Sequence, residues 1–115
     1  MFNPKKEIYA ALKELGYPVS QGYQAVFNDV PAITFVMDNN MVNPDLSNEI
    51  AYQNVTIGVD IYADDSVTAS GILAKVEAKM REKLYRLSSA VDVAPATDGA
   101  LFHIACSFVA TKLPE

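Results

Sequence analysis

Two segments of the chain alternate between apolar and polar residues, the pattern of a β-strand with one buried face. Within residues 49–63 the apolar positions are β-branched, and they predict a buried face made of Val55, Ile57, Val59 and Ile61. Within residues 101–111 the corresponding series is Phe102, Ile104, Cys106, Phe108 and Ala110. Residues 32–37 and the run 91–93 predict two further strands. Residues 17–31 are expected to form a short strand or an extended loop, and residues 97–99 a turn.

Apolar residues at helical spacing predict two helices. The first covers residues 4–15: Asn3 can cap it, Pro4 suits its first turn, and Gly16 can end it in a left-handed conformation. The second covers about residues 67–87, with Asp64, Asp65 and Ser66 available as caps. Its inward stripe is predicted to be Ala69, Ile72 or Leu73, Val76, Met80, Leu84 and Leu87.

The order of these elements predicts the fold class. A helix, a short strand, two strands, a long helix and two further strands follow one another with short connections. Such an order is typical of an α+β domain. We expect one domain over residues 1–115, with an antiparallel sheet of about four to five strands and two helices packed on one face. The buried face of the long strand should meet the second helix at Leu73, Val76 and Met80.

Charge and cysteine content narrow the classes of function that we expect for this chain. The chain carries 14 acidic and 9 basic residues, for a net charge of −5, whereas nucleic-acid binders usually present an excess of basic residues. The single cysteine, Cys106, cannot form an internal disulfide, which favours a reducing compartment. No apolar run predicts a signal peptide or a membrane span. These features predict a protein made in the cytoplasm, without a membrane partner.

Candidate chemistry is sparse. His103 is the only histidine, no sequence neighbour is an obvious catalytic partner for it, and alternation puts it on the opposite face of its strand from Cys106. Residues 38–49 have the length of a calcium loop. Val42 at the fifth position offers no side-chain oxygen, however, and Asn43 at the sixth replaces the glycine that the turn needs. We therefore expect no catalytic, cofactor-binding or metal-binding residues, and no enzyme activity.

Residues 38–49 are also the predicted location of a protein contact. This segment is rich in Asn, Asp, Ser and Pro and predicts a long polar loop, in which Met41, Val42 and Leu46 are the apolar exceptions. These three residues are candidates for a contact with a partner; alternatively, Met41 and Val42 fold back onto their own sheet. Four tyrosines at or beside polar faces either add to protein contacts or rim the core: Tyr9, Tyr52, Tyr62 and Tyr85.

The layout resembles that of the small tail terminator, or tail completion, proteins of long-tailed bacteriophages and prophages. The resemblance covers nearly the whole chain, and it depends on the order of elements rather than on an invariant motif. A short helix precedes a proline-led strand beginning Val30-Pro31-Ala32-Ile33, and a polar stretch then leads into the long strand 54–62. Ala63-Asp64-Asp65 follows directly, and a long helix and an aliphatic and aromatic strand, 102–109, complete the pattern.

The resemblance implies a subunit of a homo-hexameric ring that ends tail-tube growth and joins the tail to the head. Its partners would be further copies of itself, the tail tube protein and the head connector proteins. An acidic lumen would repel DNA and let it pass without adhering, which agrees with the negative net charge. Such a protein would assemble in the host cytoplasm and end in the virion. Two other functions stay open: a head-completion or minor capsid protein, and a small non-catalytic α+β binding domain.

Overall fold

The computed structural model describes residues 1–22, 30–93 and 101–114. Two helices and five strands lie in these ranges: α1 Pro4–Lys13, β1 Val19–Gln21, β2 Ala32–Pro44, β3 Ile50–Ala63, α2 Ser66–Glu82, β4 Arg86–Val93 and β5 Phe102–Lys112. The predicted turn at 97–99, and the part of the segment 17–31 between residues 23 and 29, lie outside the described residues.

The described strands form one sheet in the order β1-β2-β3-β5-β4, and both helices pack against it. The predicted α+β fold is confirmed, but the sheet is mixed rather than antiparallel, because β1 runs parallel to β2. Two backbone hydrogen bonds flank this short pair. The Ile33 amide donates to the Pro18 carbonyl at 2.9 Å, and the Gly22 amide donates to the Phe35 carbonyl at 2.8 Å. A three-residue strand gives too short a sequence pattern to reveal its direction.

The helix starts agree with their predicted caps. The Asn3 side chain accepts a hydrogen bond from the Lys6 amide, and Pro4 opens α1. Gly16 has a φ of 87°, the left-handed conformation expected after this helix. Asp65 caps α2 through its carboxylate, which accepts from the Thr68 amide at 2.7 Å.

The core lies between the sheet and the two helices. The predicted face of β3 is fully buried, which confirms its orientation. It packs against Ala69, Ile72, Val76 and Met80 of α2, with Leu73 partly buried beside them. Ile8 and Leu12 of α1 join the same cluster. In β5, Ile104, Cys106 and Phe108 are buried as predicted, while Phe102, the first residue of the strand, is exposed.

Helix α2 ends before the last two leucines of its predicted stripe. Leu84 has a φ of 67°, and the amides of Leu84 and Tyr85 donate to the carbonyls of Arg81 at 2.9 Å and Met80 at 3.0 Å. This is the Schellman arrangement, which closes a helix. Leu84 is therefore exposed, and Leu87 belongs to β4, where it packs partly buried against the core. The predicted end of α2 was wrong because the spacing of apolar residues does not reveal that Leu84 adopts a left-handed backbone conformation.

Tyr85 is only 2% exposed, so the expectation that it lies on a polar face is wrong. The Lys112 ammonium lies 4.3 Å from the centre of its ring. Lys112 also pairs with the Glu7 carboxylate at 2.9 Å and donates to the Lys83 carbonyl. Burial, and then the neighbouring Glu7 carboxylate, raises the pKa of the Tyr85 hydroxyl. The cluster ties α1 to the end of β5 and to the turn after α2.

Candidate interaction surface

The segment predicted as a loop over residues 38–49 is mostly strand. β2 and β3 stay paired through it and leave only a short turn, residues 45–49. Asp45 closes this turn, since one carboxylate oxygen accepts from the amides of Ser47 at 2.7 Å and Glu49 at 3.0 Å. The loop prediction was wrong because most of this segment lies outside the core, so burial does not impose the apolar alternation that marks a strand.

We call the end of this hairpin, residues 41–52, the hairpin arm. β5 pairs with β3 only as far as Gln53, and β1 pairs with β2 only at residues 33–35. Beyond these points neither strand of the arm pairs with a third strand among those described. The chain measures 55 × 25 × 22 Å, and its radius of gyration is 15.3 Å against about 13 Å for a compact chain of this length. This elongated shape agrees with a projecting arm.

Gln53 fixes the base of the arm. It is fully buried, and this role was not identified from the sequence. Its side-chain oxygen accepts from the Phe2 amide at 3.1 Å. Its side-chain nitrogen donates to the Phe2 carbonyl at 3.3 Å and to the Asn40 side chain at 3.0 Å. A fully buried amide with all these bonds made holds its surroundings in one arrangement. The arm therefore projects from a rigid base.

The three apolar residues predicted as a contact are exposed on the arm. Met41 is 54% exposed, Val42 is 41% exposed, and Leu46 is fully exposed in the turn. Residues paired across antiparallel strands point to the same side of a sheet. Met41 faces Asn54 on the side away from the helices, whereas Val42 faces Gln53 on the helix side. The structure thus brings the three residues onto one arm but not onto one face, so a partner would have to enclose the arm to cover them all.

A second cluster lies on the sheet face opposite the helices. His103 Nε2 and Asp60 Oδ1 are 2.6 Å apart, and the His103 ring stacks on Tyr62 with the ring centres separated by 4.3 Å. Burial, and then Asp60, raises the pKa of the Tyr62 hydroxyl. Sequence reasoning missed this pair because 43 residues separate its members. The available signal was that both residues occupy polar positions of strands that could be neighbours.

An Asp–His pair can orient a general base, but catalysis also needs a nucleophile or substrate site within reach. Cys106 is buried on the opposite face, as predicted, and burial followed by the charge of Asp60 raises the pKa of its thiol to about 12. Ser107 shares the face of His103 but lies four residues further along the chain, which places it about 13 Å away along the strand. The described geometry therefore supports a structural link between β3 and β5.

The carboxylate of Asp65 has a structural partner. Thr68 donates to Asp65 from both its amide and its hydroxyl, and these bonds lower the pKa of the Asp65 carboxyl. In the described ranges, no group of three or more His, Cys, Asp or Glu side chains is arranged to hold a metal ion. Neither described helix combines the length and the apolar composition that crossing a bilayer requires.

Two cavities could be considered for small ligands. One of 280 Å³ lies between the start of α2 and the ends of β4 and β5, and falls just below the usual range for ligand pockets, about 300–1,000 Å³. Another of 410 Å³ runs beside α1, where Lys6, Glu7, Glu14 and Lys83 give it charges of both signs. The smaller cavity combines apolar residues such as Phe102 and Ile104 with Ser66, Asp92 and His103, but its volume is below that range.

No protein-family model matches this chain, and no curated protein matches it.

Proposed function

We propose that this chain is a tail terminator or tail completion protein of a bacteriophage or prophage. Six copies would form a ring on the end of the tail tube, stop its growth and join it to the head connector. The subunit would assemble in the host cytoplasm and remain at the head–tail junction of the virion. The order of a short helix, a proline-led strand, a long strand, a long helix and a final strand supports this proposal.

The observation that carries the proposal is the hairpin arm. It projects from the core, and its exposed apolar residues at the root and at the tip are not part of the core cluster. Long exposed apolar side chains on a projecting element are commonly part of a protein contact. An arm of this kind suits a subunit that must grip either a neighbouring ring subunit or the end of a tube.

Charge supports the same assignment. A net charge of −5 disfavours adhesion to the DNA phosphate backbone. A ring through which DNA passes has to avoid such adhesion. The passing DNA would be a non-adhesive contact rather than a ligand.

The proposal is tested with the tail tube protein of the phage or prophage that would encode this chain. Purified tube protein is polymerised with and without the chain, and tube lengths are measured by electron microscopy. We expect shorter tubes, each carrying a ring of six subunits at one end. Tubes of unchanged length with no bound chain would refute the terminator function. Binding to connector rings but not to tubes would instead favour a head-completion protein.

A further inference from the structure

The tip of the hairpin arm combines an exposed leucine with two acidic side chains. Leu46 is fully exposed in the turn, and Asp45 and Glu49 stand on either side of it, where the turn closes. The arm contains no lysine or arginine. Neither carboxylate pairs with a basic side chain of the described residues, and both turn hydrogen bonds to Asp45 use the same oxygen, Oδ1. The tip therefore presents an apolar group beside negative charge.

The 410 Å³ cavity beside α1, which we call the α1 groove, is large enough to receive this leucine. Phe2, Ala10 and Ala11 give the groove apolar surface. A cavity of about 150 Å³ already admits benzene, which has two more carbon atoms than a leucine side chain. The α1 groove can therefore hold a leucine with room for the charged groups beside it.

The unpaired charges of the α1 groove are positive. Its two carboxylates, Glu7 and Glu14, already pair with lysines, at 2.9 Å and 2.8 Å. Its two lysines, Lys6 and Lys83, form no ion pair within the described ranges. Opposite charges at the arm tip and in the groove favour a contact between the two and disfavour wrong partners.

The arm cannot place its tip in the groove of its own chain. Gln53 binds Phe2 at the base of the arm, and α1 runs from there away from the tip. The chain after α1 reaches Pro18, whose carbonyl bonds to Ile33 at the far end of β2. Glu49 lies about 13 Å beyond Gln53 in the other direction along β3. A tip of this arm can therefore enter the groove of another copy only.

We propose that the arm tip of one copy docks in the α1 groove of a second copy. Leu46 covers the apolar surface of the groove, and the carboxylates of Asp45 and Glu49 meet its two lysines. Tip and groove are different patches, so the contact is heterologous and repeats from copy to copy until a ring closes. This inference deepens the proposed function and rests on it for the closed ring, since it names the neighbouring subunit as what the arm grips.

The test is an exchange of charge. Asp45→Asn/Glu49→Lys makes the tip positive, and the asparagine keeps an oxygen that can close the turn. Lys6→Glu/Lys83→Glu makes the groove negative. By sedimentation equilibrium at low salt, the wild-type chain should have a mass well above 12.5 kDa, and each variant alone should associate roughly tenfold more weakly or worse. An equimolar mixture should recover the association, because each tip then finds a groove of opposite charge. Recovery also shows that both variants fold.

Two further variants complete the test. Lys13→Glu/Arg81→Glu makes the same change of net charge as the groove variant, on helix positions that do not line the groove, and should associate like the wild type. Leu46→Ser should abolish association while the midpoint of urea denaturation stays that of the wild type, because this side chain is fully exposed.

The outcomes separate this contact from the proposed function. A monomeric wild-type chain, a tip or groove variant that associates as tightly as the wild type, or a mixture that stays monomeric would overturn the contact. A monomeric chain that still shortens tubes would show that the arm grips the tube, so the terminator function would stand without this inference. Association that follows the expected pattern, with tubes of unchanged length, would keep the contact and refute the terminator function.

Discussion

At the scale of single residues, Leu84 shows the clearest backbone strain. Its φ of 67° costs a residue with a Cβ atom about 1–2 kcal/mol, and the side chain is 79% exposed, so little packing offsets this cost. Glycine would remove the strain and lose about 0.5–1 kcal/mol through its greater freedom in the unfolded chain. We therefore expect Leu84→Gly to raise the free energy of unfolding by about 0.5–1 kcal/mol, measured by urea denaturation.

Leu84→Ala is the matched control for that prediction. It keeps the Cβ atom, and with it the strain, but removes the rest of the side chain. We expect its free energy of unfolding to stay within about 0.5 kcal/mol of the wild type. If alanine stabilised the chain as much as glycine, the exposed apolar surface rather than the backbone would be the source of the cost.

Cys106 should make stability depend on alkaline pH. The pKa of its thiol rises from 9.0 to about 12 on folding. The folded chain therefore holds this proton at a pH where the unfolded chain has released it, and the free energy of unfolding falls as pH rises from about 9 towards 12. One such group contributes a slope of about 1.4 kcal/mol per pH unit. Urea denaturation at several alkaline pH values should show a shallower decline for Cys106→Ser.

The serine variant should lose less than about 1.5 kcal/mol at neutral pH, since the side chains are close in size. Tyr85 also has a raised pKa, so some alkaline decline should persist in both proteins. Equal slopes for wild type and variant would show that the thiol does not stay protonated in the folded chain.

Residue-level features were predictable where they depend on a local pattern. The caps at Asn3 and Asp65 and the burial of Cys106 were all readable, since each depends on neighbours in the chain or on alternation. The bond between His103 and Asp60 was not, because a contact across strands depends on the register of β3 and β5. Gln53 escaped notice for a related reason, since its hydrogen-bond partners come from other elements.

At the scale of elements, substitution of Ile57 tests how much the packing of β3 against α2 contributes to the free energy of unfolding. Ile57 has no exposed surface and lies in the cluster between the sheet and the helices. Ile57→Ala should lower the free energy of unfolding by about 2–5 kcal/mol, through lost transfer energy and the cavity left behind. Thr56→Ala, on the other face of the same strand, should cost much less. Similar losses for the two variants in urea denaturation would contradict this expectation.

The hairpin arm gives the second prediction at this scale. Met41 and Val42 lie at its root, outside the core, so changing both to Ser should leave the melting temperature nearly unchanged. If the arm grips a partner, the double variant should no longer shorten tubes of the tail tube protein. Val67→Ser removes an apolar group from α2 that is even more exposed, and this variant should still cap tubes. A double variant that caps normally, or that melts much earlier, would rule out the arm as the contact.

Strands and helices were predictable where the burial of one face imposes a regular spacing of apolar residues, and less so elsewhere. β3, β5 and the starts of both helices were readable from alternation or capping. The arm was taken for a loop because most of its strand residues lie outside the core and are free to be polar. The parallel direction of β1 and the early end of α2 depend on backbone geometry at a few residues, which apolar spacing does not record.

At the scale of the whole molecule, the elongated shape of the chain, 55 × 25 × 22 Å, agrees with an arm that projects from the core. A six-membered ring is built from heterologous contacts, in which a patch on one subunit meets a different patch on its neighbour. An arm outside the core can reach such a neighbour, or the end of a tube, without any change in the packing of the core. In the proposed ring the arm would therefore supply one of the two unlike patches of a contact.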